Sequence, residues 1–481
     1  MQYENFYGLT AYEMVKKAKD AYGNKIFCSY QRNGQITDIS FTKFWIDVQH
    51  VAHQLEKRQI IGKYVILEGK QEYELIVAFY AILSVGAIAV VINFDLPEKE
   101  IYRAADILQP VLFICTEDNL EVVKEYAEEK VIPCIINDSD IESEESVAKW
   151  IKTTEDVYEH DGIQKPEEPA FVLMTSGSTS ESKLVLLSHY GLLPVKEYFY
   201  DKNILLFPLY HIAGLGMITN CLSKGVNFCI SNMKDGLRDM EWFRPTEIAA
   251  VPAFISALLK RTKQNQFDIT GIKAIMSAGA PQNLEDVLYL NSLGIYTGST
   301  YGATETGGAI IYHTEQESRY GSVGKVGPWN EVKISKKGEI LVKGKNVMIE
   351  YLGNEDETRE ALKDGWYHTG DVGRIDEDGF LFITGRIKNI IILSNGENVS
   401  PESIEAELNH CPEIEEVLVY AENDAIVAHV WCPEAKEDSV RKNIEKFIAK
   451  YNKNVPTYHR IANIRFRTKP FDRTTTGKIK R

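Results

Sequence analysis

The sequence predicts an α/β protein of several domains, with two helix-covered sheets in a large N-terminal part, then a small β-rich subdomain and a small α+β C-terminal part. The 481 residues exceed what one hydrophobic core usually supports. Residues 35–135 and 170–300 alternate helical stretches with short Val/Ile-rich strands. After residue 322 the pattern changes to short alternating strands separated by Lys-Gly and Gly-Lys turns, which indicates a separate β-rich unit.

In the first series we predict a helix at 41–58 and strands at 64–67 and 111–115, the pattern of a parallel sheet covered by helices. The apolar run 75–92 has about the minimum length of a membrane span. Gly86 divides this run into a helix-like half and a β-branched half, and acidic residues lie on both flanks. We therefore expect a buried helix followed by a buried strand, and no membrane span.

The second series is predicted to open with a strand at 170–174 that follows two polar segments. The β-rich unit has predicted strands at 332–334 and 339–342. From about Lys388 a compact tail follows, with predicted helices at 401–409 and 436–451 and predicted strands at 416–420 and 425–431.

The net charge and the spacing of the cysteines exclude some classes of function. The net charge of −15, from 54 Lys plus Arg against 69 Asp plus Glu, argues against a binder of nucleic acid or anionic membranes. The seven cysteines are scattered, without a CxxC pair or a zinc spacing, and are interpreted as reduced core residues. The N-terminal 23 residues carry charges throughout and lack the apolar segment of a secretory signal. We expect a cytoplasmic protein whose phosphate site is local.

Residues 175–183 (TSGSTSESK) follow a predicted buried strand and combine many hydroxyls with a glycine and a lysine. Backbone N–H groups and hydroxyls can surround phosphate oxygens while Lys183 neutralises charge. The spacing from Gly177 nearly matches the pattern GxxxxGK[ST], but Ser182 replaces the second glycine and Leu184 the metal-binding hydroxyl. A kinase-type phosphate loop is therefore disfavoured, and a serine-rich solvated turn is the alternative for this segment by itself.

Four later segments carry further polar groups. Residues 301–306 (YGATET) offer an aromatic ring, a hydroxyl and a carboxylate, which suit a base, a phosphate and magnesium. Residues 365–371 (GWYHTGD) place an aspartate after a tight glycine turn, suited to ribose hydroxyls. Residues 385–389 (GRIKN) end a strand with a basic pair, and residues 473–478 (RTTTGK) put a lysine on a glycine-containing loop. Each segment alone is a weak signal.

In their order and spacing, the five segments resemble the adenylate-forming family of acyl-CoA synthetases, luciferases and peptide-synthetase adenylation domains. The resemblance extends from about residue 75 to Lys478. It implies a large N-terminal adenylation domain at 1–387 with a β-barrel-like subdomain, and a small mobile C-terminal domain at 388–481 that turns about Lys388. It also implies ATP-dependent activation of a carboxylic acid as an acyl-adenylate with release of pyrophosphate, then acyl transfer to the thiol of coenzyme A.

The resemblance also assigns roles to individual residues. Tyr301 would stack on adenine, Asp371 and Arg386 would hold the ribose, and Thr304 would contact the α-phosphate. The β- and γ-phosphates would lie against Thr175, Ser176, Gly177, Ser178, Thr179 and Lys183, and the adenine against the backbone of Gly279, Ala280 and Pro281.

Two further residues would serve the chemical step. Glu305 would bind Mg²⁺, and Lys478 would bridge the substrate carboxylate and the α-phosphate. Because both reacting groups are anionic, cations must meet where they react, and no covalent nucleophile is needed.

The acid pocket is predicted from residues 208–214 (PLYHIAG), which resemble the segment of acyl- and aryl-CoA synthetases whose aromatic residue and histidine, here His211, wall the substrate. Amino-acid-activating relatives place an aspartate there, and residues 209–216 contain none. Gly307, Gly308 and Ala309 leave room for a chain or a ring. We expect a role in fatty or aromatic acid metabolism, while a purely structural role for His211 stays open.

The chain departs from the family pattern at three places, one of which is Ser299, where relatives often have asparagine or glutamine near the adenine. Ser180, Ser182 and Leu184 replace glycine, proline and glycine of the usual TSGTTGxPKG loop, which restricts the loop and can alter pyrophosphate handling. Residues 421–424 (AEND) shorten a stretch near the thiol-acceptor face, although residues 394–400 (SNGENVS) still resemble the coenzyme A ligases.

The compact length also suits an o-succinylbenzoate-CoA-ligase-like enzyme. Two alternatives stay open. The first is a stand-alone ligase that loads a carrier-protein phosphopantetheine. The second is a catalytically silent nucleotide-binding relative, against which the joint presence of Lys478, Glu305 and Asp371 argues. A monomer or homodimer is expected.

Overall fold

The structure is a computed structural model. It describes residues 6–93, 95–138, 143, 145–153, 158, 164–175, 182–192, 200–232, 234–279, 282–312, 319–394, 397–434, 436–472 and 479. The first elements are α1 (Ala11–Tyr22), β1 (Ile26–Arg32), β2 (Gln35–Ser40), α2 (Phe41–Glu56), β3 (Tyr64–Leu67), α3 (Tyr73–Ser84), β4 (Ile88–Val91), α4 (Glu98–Leu108), β5 (Leu112–Cys115), α5 (Glu117–Lys130), β6 (Cys134–Ile136) and α6 (Val147–Thr153).

The middle of the chain continues the alternation of strands and helices. Its elements are β7 (Pro169–Thr175), β8 (Lys183–Ser188), β9 (Lys202–Leu205), α7 (Ile212–Lys224), β10 (Asn227–Ile230), α8 (Gly236–Phe243), β11 (Glu247–Ala250), α9 (Pro252–Lys263), β12 (Ala274–Ala278), α10 (Leu284–Ser292), β13 (Tyr296–Thr300), β14 (Gly302–Ala303), β15 (Gly308–Ala309) and β16 (Ile311–Tyr312).

The remaining elements are mostly short strands, followed by a small helical and stranded tail. They are β17 (Gly324–Val326), β18 (Asn330–Ile334), β19 (Glu339–Gly344), β20 (Glu350–Tyr351), α11 (Glu355–Ala361), β21 (Tyr367–Ile375), β22 (Phe380–Arg386), β23 (Ile391–Ile392), β24 (Asn398–Val399), α12 (Pro401–Leu408), β25 (Glu416–Glu422), β26 (Ala425–Trp431), α13 (Asp438–Lys453) and β27 (Ile461–Arg467).

Two large sheets confirm the predicted α/β class. One has the strand order β20-β8-β7-β4-β3-β5-β6 and the other the order β13-β12-β11-β9-β10-β1-β2. The strand predicted at 170–174 is confirmed as β7. It pairs in parallel with β4 of the first sheet, with Val172 opposite Val90. The hairpin of β1 and β2 instead joins the second sheet through β10, a long-range pairing that local pattern does not encode.

The apolar run 75–92 folds as predicted into a helix and a strand. Every residue of α3 is buried, and Gly86, with φ 78°, turns the chain into β4, which is also fully buried. Within the part of the chain that the structure describes, we find no helix with both the length and the apolar character that a membrane crossing requires.

The β-rich unit is a nearly closed, barrel-like sheet of order β16-β17-β22-β21-β19-β18, as predicted. The C-terminal tail has a separate sheet of order β25-β26-β27 covered by α12 and α13. The tail also has its own apolar core, which includes Leu408, Val419 and Ile444. Ser400, at the start of α12, donates to the backbone oxygen of Thr384 on β22 at 2.6 Å and so joins the tail to the barrel-like sheet.

The buried ring of His189, just after β8, connects three separated segments. Its Nδ1 accepts from the backbone N–H of Ala11 at 3.2 Å, and its Nε2 lies 2.9 Å from the side-chain oxygen of Gln164. The neutral ring therefore carries its proton on Nε2. Burial lowers the pKa of His189 to about 4, because the interior disfavours the charged ring.

We predict that His189 makes the protein less stable in mild acid. The pKa of His189 in the folded state lies below its value in the unfolded state. The neutral ring therefore contributes its full stability above about pH 6.5, and this contribution is lost as the pH falls toward 4. The total loss in the free energy of unfolding is about 3 kcal/mol. Protonation also sets a second N–H against the N–H of Ala11. Urea unfolding of wild type and His189→Gln at pH 7.5 and 4.5 measures this effect. The variant should show a smaller loss of stability between the two pH values, and an equal loss would contradict the prediction.

Candidate active site

The predicted phosphate segment lies between two antiparallel strands. β7 ends at Thr175 and β8 begins at Lys183, and these two residues are partners in register. The carbonyl oxygen of Ser182 accepts a hydrogen bond from Arg103 on α4 at 2.5 Å, and Arg103 also donates to Glu100 at 3.1 Å. The C-terminal end of the segment is thus attached to α4. Ser176, Gly177, Ser178 and Thr179 lie outside the described residues.

Lys183 is surrounded by groups from a later part of the chain. Its Nζ lies 2.8 Å from Oε2 of Glu357 on α11 and 4.6 Å from the centre of the Tyr351 ring. The cation is therefore held by one carboxylate and one aromatic face.

Glu305 lies in the short turn Thr304–Thr306 between β14 and β15. Its Oε1 accepts a hydrogen bond from the hydroxyl of Tyr351 at 2.9 Å, and its backbone oxygen accepts from the N–H of Met348 at 2.8 Å. Burial, and then the Glu305 carboxylate, raise the pKa of Tyr351 well above its usual value, so the phenol remains a donor. Tyr351 thus contacts Lys183 with its ring and Glu305 with its hydroxyl.

Local packing explains why the Glu305 turn forms here. A Cβ at Gly302 would lie 2.0 Å from the carbonyl oxygen of Gly308, so the β14–β15 hairpin closes only with glycine at 302. The side-chain amide of Asn346 donates to the backbone oxygen of Thr306 at 2.6 Å. Ile212, the first residue of α7, lies against Gly308. The turn is therefore fixed beside the helix that follows His211.

Tyr301, Asp371 and Arg386 form a second cluster. Asp371 and Arg386 are partners on β21 and β22, with Arg386 Nε 2.6 Å from Asp371 Oδ1. The hydroxyl of Tyr301 donates to the other oxygen of Asp371 at 2.8 Å. Burial, and then Asp371, raise the pKa of Tyr301 well above its usual value. This contact fixes the orientation of the Tyr301 ring, and both oxygens of Asp371 are oriented by their partners.

Lys388 lies two residues beyond Arg386 and shares its electrostatic environment. Burial lowers the pKa of Lys388, the charges of Arg386 and Lys183 lower it further, and Asp371 opposes the shift. The positive charges of Arg386 and Lys183, which come from two separate segments, thus disfavour the charged form of Lys388. Such a concentration of positive charge suits an anionic ligand.

His211 caps the N-terminus of α7. Its Nδ1 accepts from the backbone N–H of Ala213 at 3.1 Å, and its ring stacks on Phe207 with 6.1 Å between centroids. This capping bond supports a structural role for His211. Its predicted place in the wall of the acid pocket stays a prediction.

Of the other predicted site residues, some lie in the described part of the structure and others lie outside it. Thr304 lies in the same turn as Glu305, and Gly279 follows β12 with φ 86°, where a Cβ would meet no atom within 4 Å. Ala280, Pro281 and Lys478 lie outside the described residues. Sequence reasoning missed Tyr351, Glu357 and Arg103, because no local motif connects them with residues 46 to 174 positions away.

The sequence is similar to known enzymes over most of its length. The sequence model of the family described as AMP-binding enzyme matches residues 15–352, and that of the AMP-binding enzyme C-terminal domain matches residues 388–481. A 2-succinylbenzoate–CoA ligase of Bacillus cereus (strain ATCC 10987 / NRS 248) is 27% identical over 438 residues, 84% of this chain and 85% of that protein. A probable CoA ligase, CCL5, of Humulus lupulus is 28% identical over 86% of this chain and 83% of its own length.

Solved structures share the fold. The anthranilate CoA ligase AuaEII in complex with anthranoyl-AMP superposes with a TM-score of 0.85 at 20% identity, covering 98% of this chain and 96% of that one. The O-succinylbenzoate coenzyme A synthetase MenE of Bacillus subtilis, in complex with ATP and magnesium ion, superposes with a TM-score of 0.76 at 22% identity, covering 97% and 98%. At these identities the likeness concerns the fold alone.

Proposed function

Because the chain belongs to the AMP-binding enzyme family, we propose that it activates a carboxylic acid with ATP and transfers the acyl group to coenzyme A. In the first step a carboxylate oxygen attacks the α-phosphorus, and the bond to the bridging oxygen of pyrophosphate breaks. In the second step the thiol of coenzyme A gives its proton to solvent or a base, the thiolate sulfur attacks the acyl carbon, and AMP leaves. The predicted superfamily and fold class are confirmed by the family match and the solved structures.

The observation that carries the proposal is a pair of side-chain clusters. Their residues come from five stretches of the chain, at 183, 301–305, 351, 371 and 386. Asp371, Arg386 and Tyr301 present two oriented carboxylate oxygens and an aromatic ring, a combination suited to a ribose and its base. Lys183 and Glu305, joined through Tyr351, present a cation and a carboxylate suited to a metal triphosphate.

The residues present also fit a magnesium ion. Mg²⁺ is usually bound in proteins by one or two carboxylates together with substrate phosphates and waters. Glu305 supplies one carboxylate, whose orientation Tyr351 fixes. When bound there, the ion would offset the negative charge that develops on the phosphates.

Two further roles rest on the sequence resemblance. Lys478 would approach the α-phosphate from the C-terminal domain at 388–481 during adenylation. That domain would then turn about Lys388 against the large domain at 1–387, so that the thiol can approach. The closeness of Lys388 to the charges of Arg386, Asp371 and Lys183 supports a hinge beside the nucleotide. The cytoplasmic location and the monomeric or homodimeric state stay predictions.

An aromatic acid is the substrate class that we propose. A matched relative is named as a ligase of 2-succinylbenzoate, and the sequence disfavours an α-amino acid. Carrier-protein phosphopantetheine is the alternative acceptor, because residues 421–424 are shortened. In the structure Asn423 and Asp424, both with positive φ, form a tight turn between β25 and β26, and Asp424 accepts from the backbone N–H of Ser394 at 2.7 Å.

Pyrophosphate exchange tests the proposal. The enzyme with MgATP is offered 2-succinylbenzoate, anthranilate, benzoate and a series of fatty acids of increasing length. We expect exchange with at least one aromatic acid and formation of its coenzyme A thioester. Exchange followed only by loading of a carrier protein would favour the alternative acceptor. Absence of exchange with every acid would favour a silent nucleotide-binding relative.

A further inference from the structure

Glu357 has a close contact with the predicted phosphate-binding lysine and no role in the reaction described above. Its Oε2 lies 2.8 Å from Lys183 Nζ, is shielded from solvent, and makes no hydrogen bond there, so the contact is electrostatic. We infer that Glu357 is a positioning residue, which holds Lys183 away from the triphosphate between turnovers and so weakens binding of ATP and pyrophosphate. This inference rests on the proposed function.

The geometry permits Lys183 to exchange partners. The side chains of Lys183 and Glu357 are 23% and 33% exposed, so a ligand or water can approach the pair although Oε2 itself is shielded. When the Lys183 ammonium turns away from Glu357, its contact with the Tyr351 ring can still stabilise its charge. A partly exposed ion pair of this kind is worth about 0.2 to 1 kcal/mol. A triphosphate with its higher charge can therefore displace Glu357 from Lys183.

The attachment of Ser182 to α4 limits how Lys183 can move from Glu357 to a phosphate. Arg103 holds the carbonyl oxygen of Ser182, the residue just before Lys183. Because the backbone at this end is attached, we expect Lys183 to reach a phosphate by changing its side-chain conformation. The negative charge of Glu357 attracts Lys183 back to the ion pair. This attraction would weaken the binding of both ATP and the departing pyrophosphate.

The test is calorimetric binding of MgATP and of magnesium pyrophosphate to the full-length protein, in wild type, Glu357→Gln and Glu357→Asp. We expect Glu357→Gln to bind both ligands about threefold to fivefold more tightly. Glu357→Asp keeps the charge and should bind like wild type. A variant that merely perturbed α11 would bind more weakly or unfold at a lower temperature, so unchanged or weaker binding by Glu357→Gln would overturn the inference.

Two comparisons separate this mechanism from others. Glu360→Gln removes the same charge from an exposed position of the same helix and should leave both affinities unchanged. In a Lys183→Met background, Glu357→Gln should change the affinities by less than half as much as in wild type. Equal tightening by Glu360→Gln, or a full effect without Lys183, would overturn the inference. Failure of the wild type to bind MgATP would instead contradict the proposed function.

Discussion

Replacing Lys478 by alanine is expected to lower the rate of acyl-adenylate formation by about 10² to 10³. The proposed reaction joins a carboxylate and an α-phosphate, which are both anionic, so the charge that develops between them needs a positioned cation. Because this cation would act mainly in the transition state, kcat should fall far more than the KM for ATP rises. Pyrophosphate exchange with the preferred acid measures the effect.

Lys480 provides the control for this prediction. Lys480→Ala removes the same charge two residues further along, and it should retain at least about half of the exchange rate, because the proposed positioned cation, Lys478, is still present. Lys478→Ala should also form the thioester normally from a supplied acyl-adenylate, since the lysine is proposed to withdraw in that step. A loss below about threefold in exchange would refute the role of Lys478.

Replacing Glu305 by glutamine is expected to lower kcat/KM for adenylation by about 10² and to raise the Mg²⁺ concentration needed for half-maximal activity. The amide keeps the shape of the side chain and can still accept from Tyr351, but it loses the negative charge that holds a divalent cation. Titration of Mg²⁺ at saturating ATP, with exchange as the readout, measures the shift.

Tyr351→Phe separates the metal role of Glu305 from its orientation. This variant keeps the carboxylate and the aromatic face toward Lys183 but removes the hydroxyl that orients Glu305. We expect a loss of about tenfold, in the range seen when a partner of a metal ligand is removed. If Glu305→Gln is no worse than Tyr351→Phe and its Mg²⁺ dependence is unchanged, Glu305 is not the metal ligand.

Much of the local structure was predictable because it depends on short-range pattern. The alternation of apolar runs with turn residues predicted β3 at its observed bounds and divided the run 75–92 at Gly86, where a positive φ is required. The predicted tail helices and strands also agree with α12, α13, β25 and β26 to within about two residues, while β27 was missed. Membership of sheets was less predictable, as the place of β1 and β2 in the second sheet shows, because strand pairing joins residues far apart in the chain.

By itself, the sequence determined the superfamily and the α/β class, because five short segments in a characteristic order identify the family, and apolar runs at regular spacing identify the strands and helices. The tertiary structure alone decided which groups meet. It placed Tyr351 between Lys183 and Glu305, set Glu357 against Lys183, and paired Asp371 with Arg386 across two strands. The physical reason is that hydrogen bonds and ion pairs depend on distance in space, which residue order does not specify until the sheets have assembled.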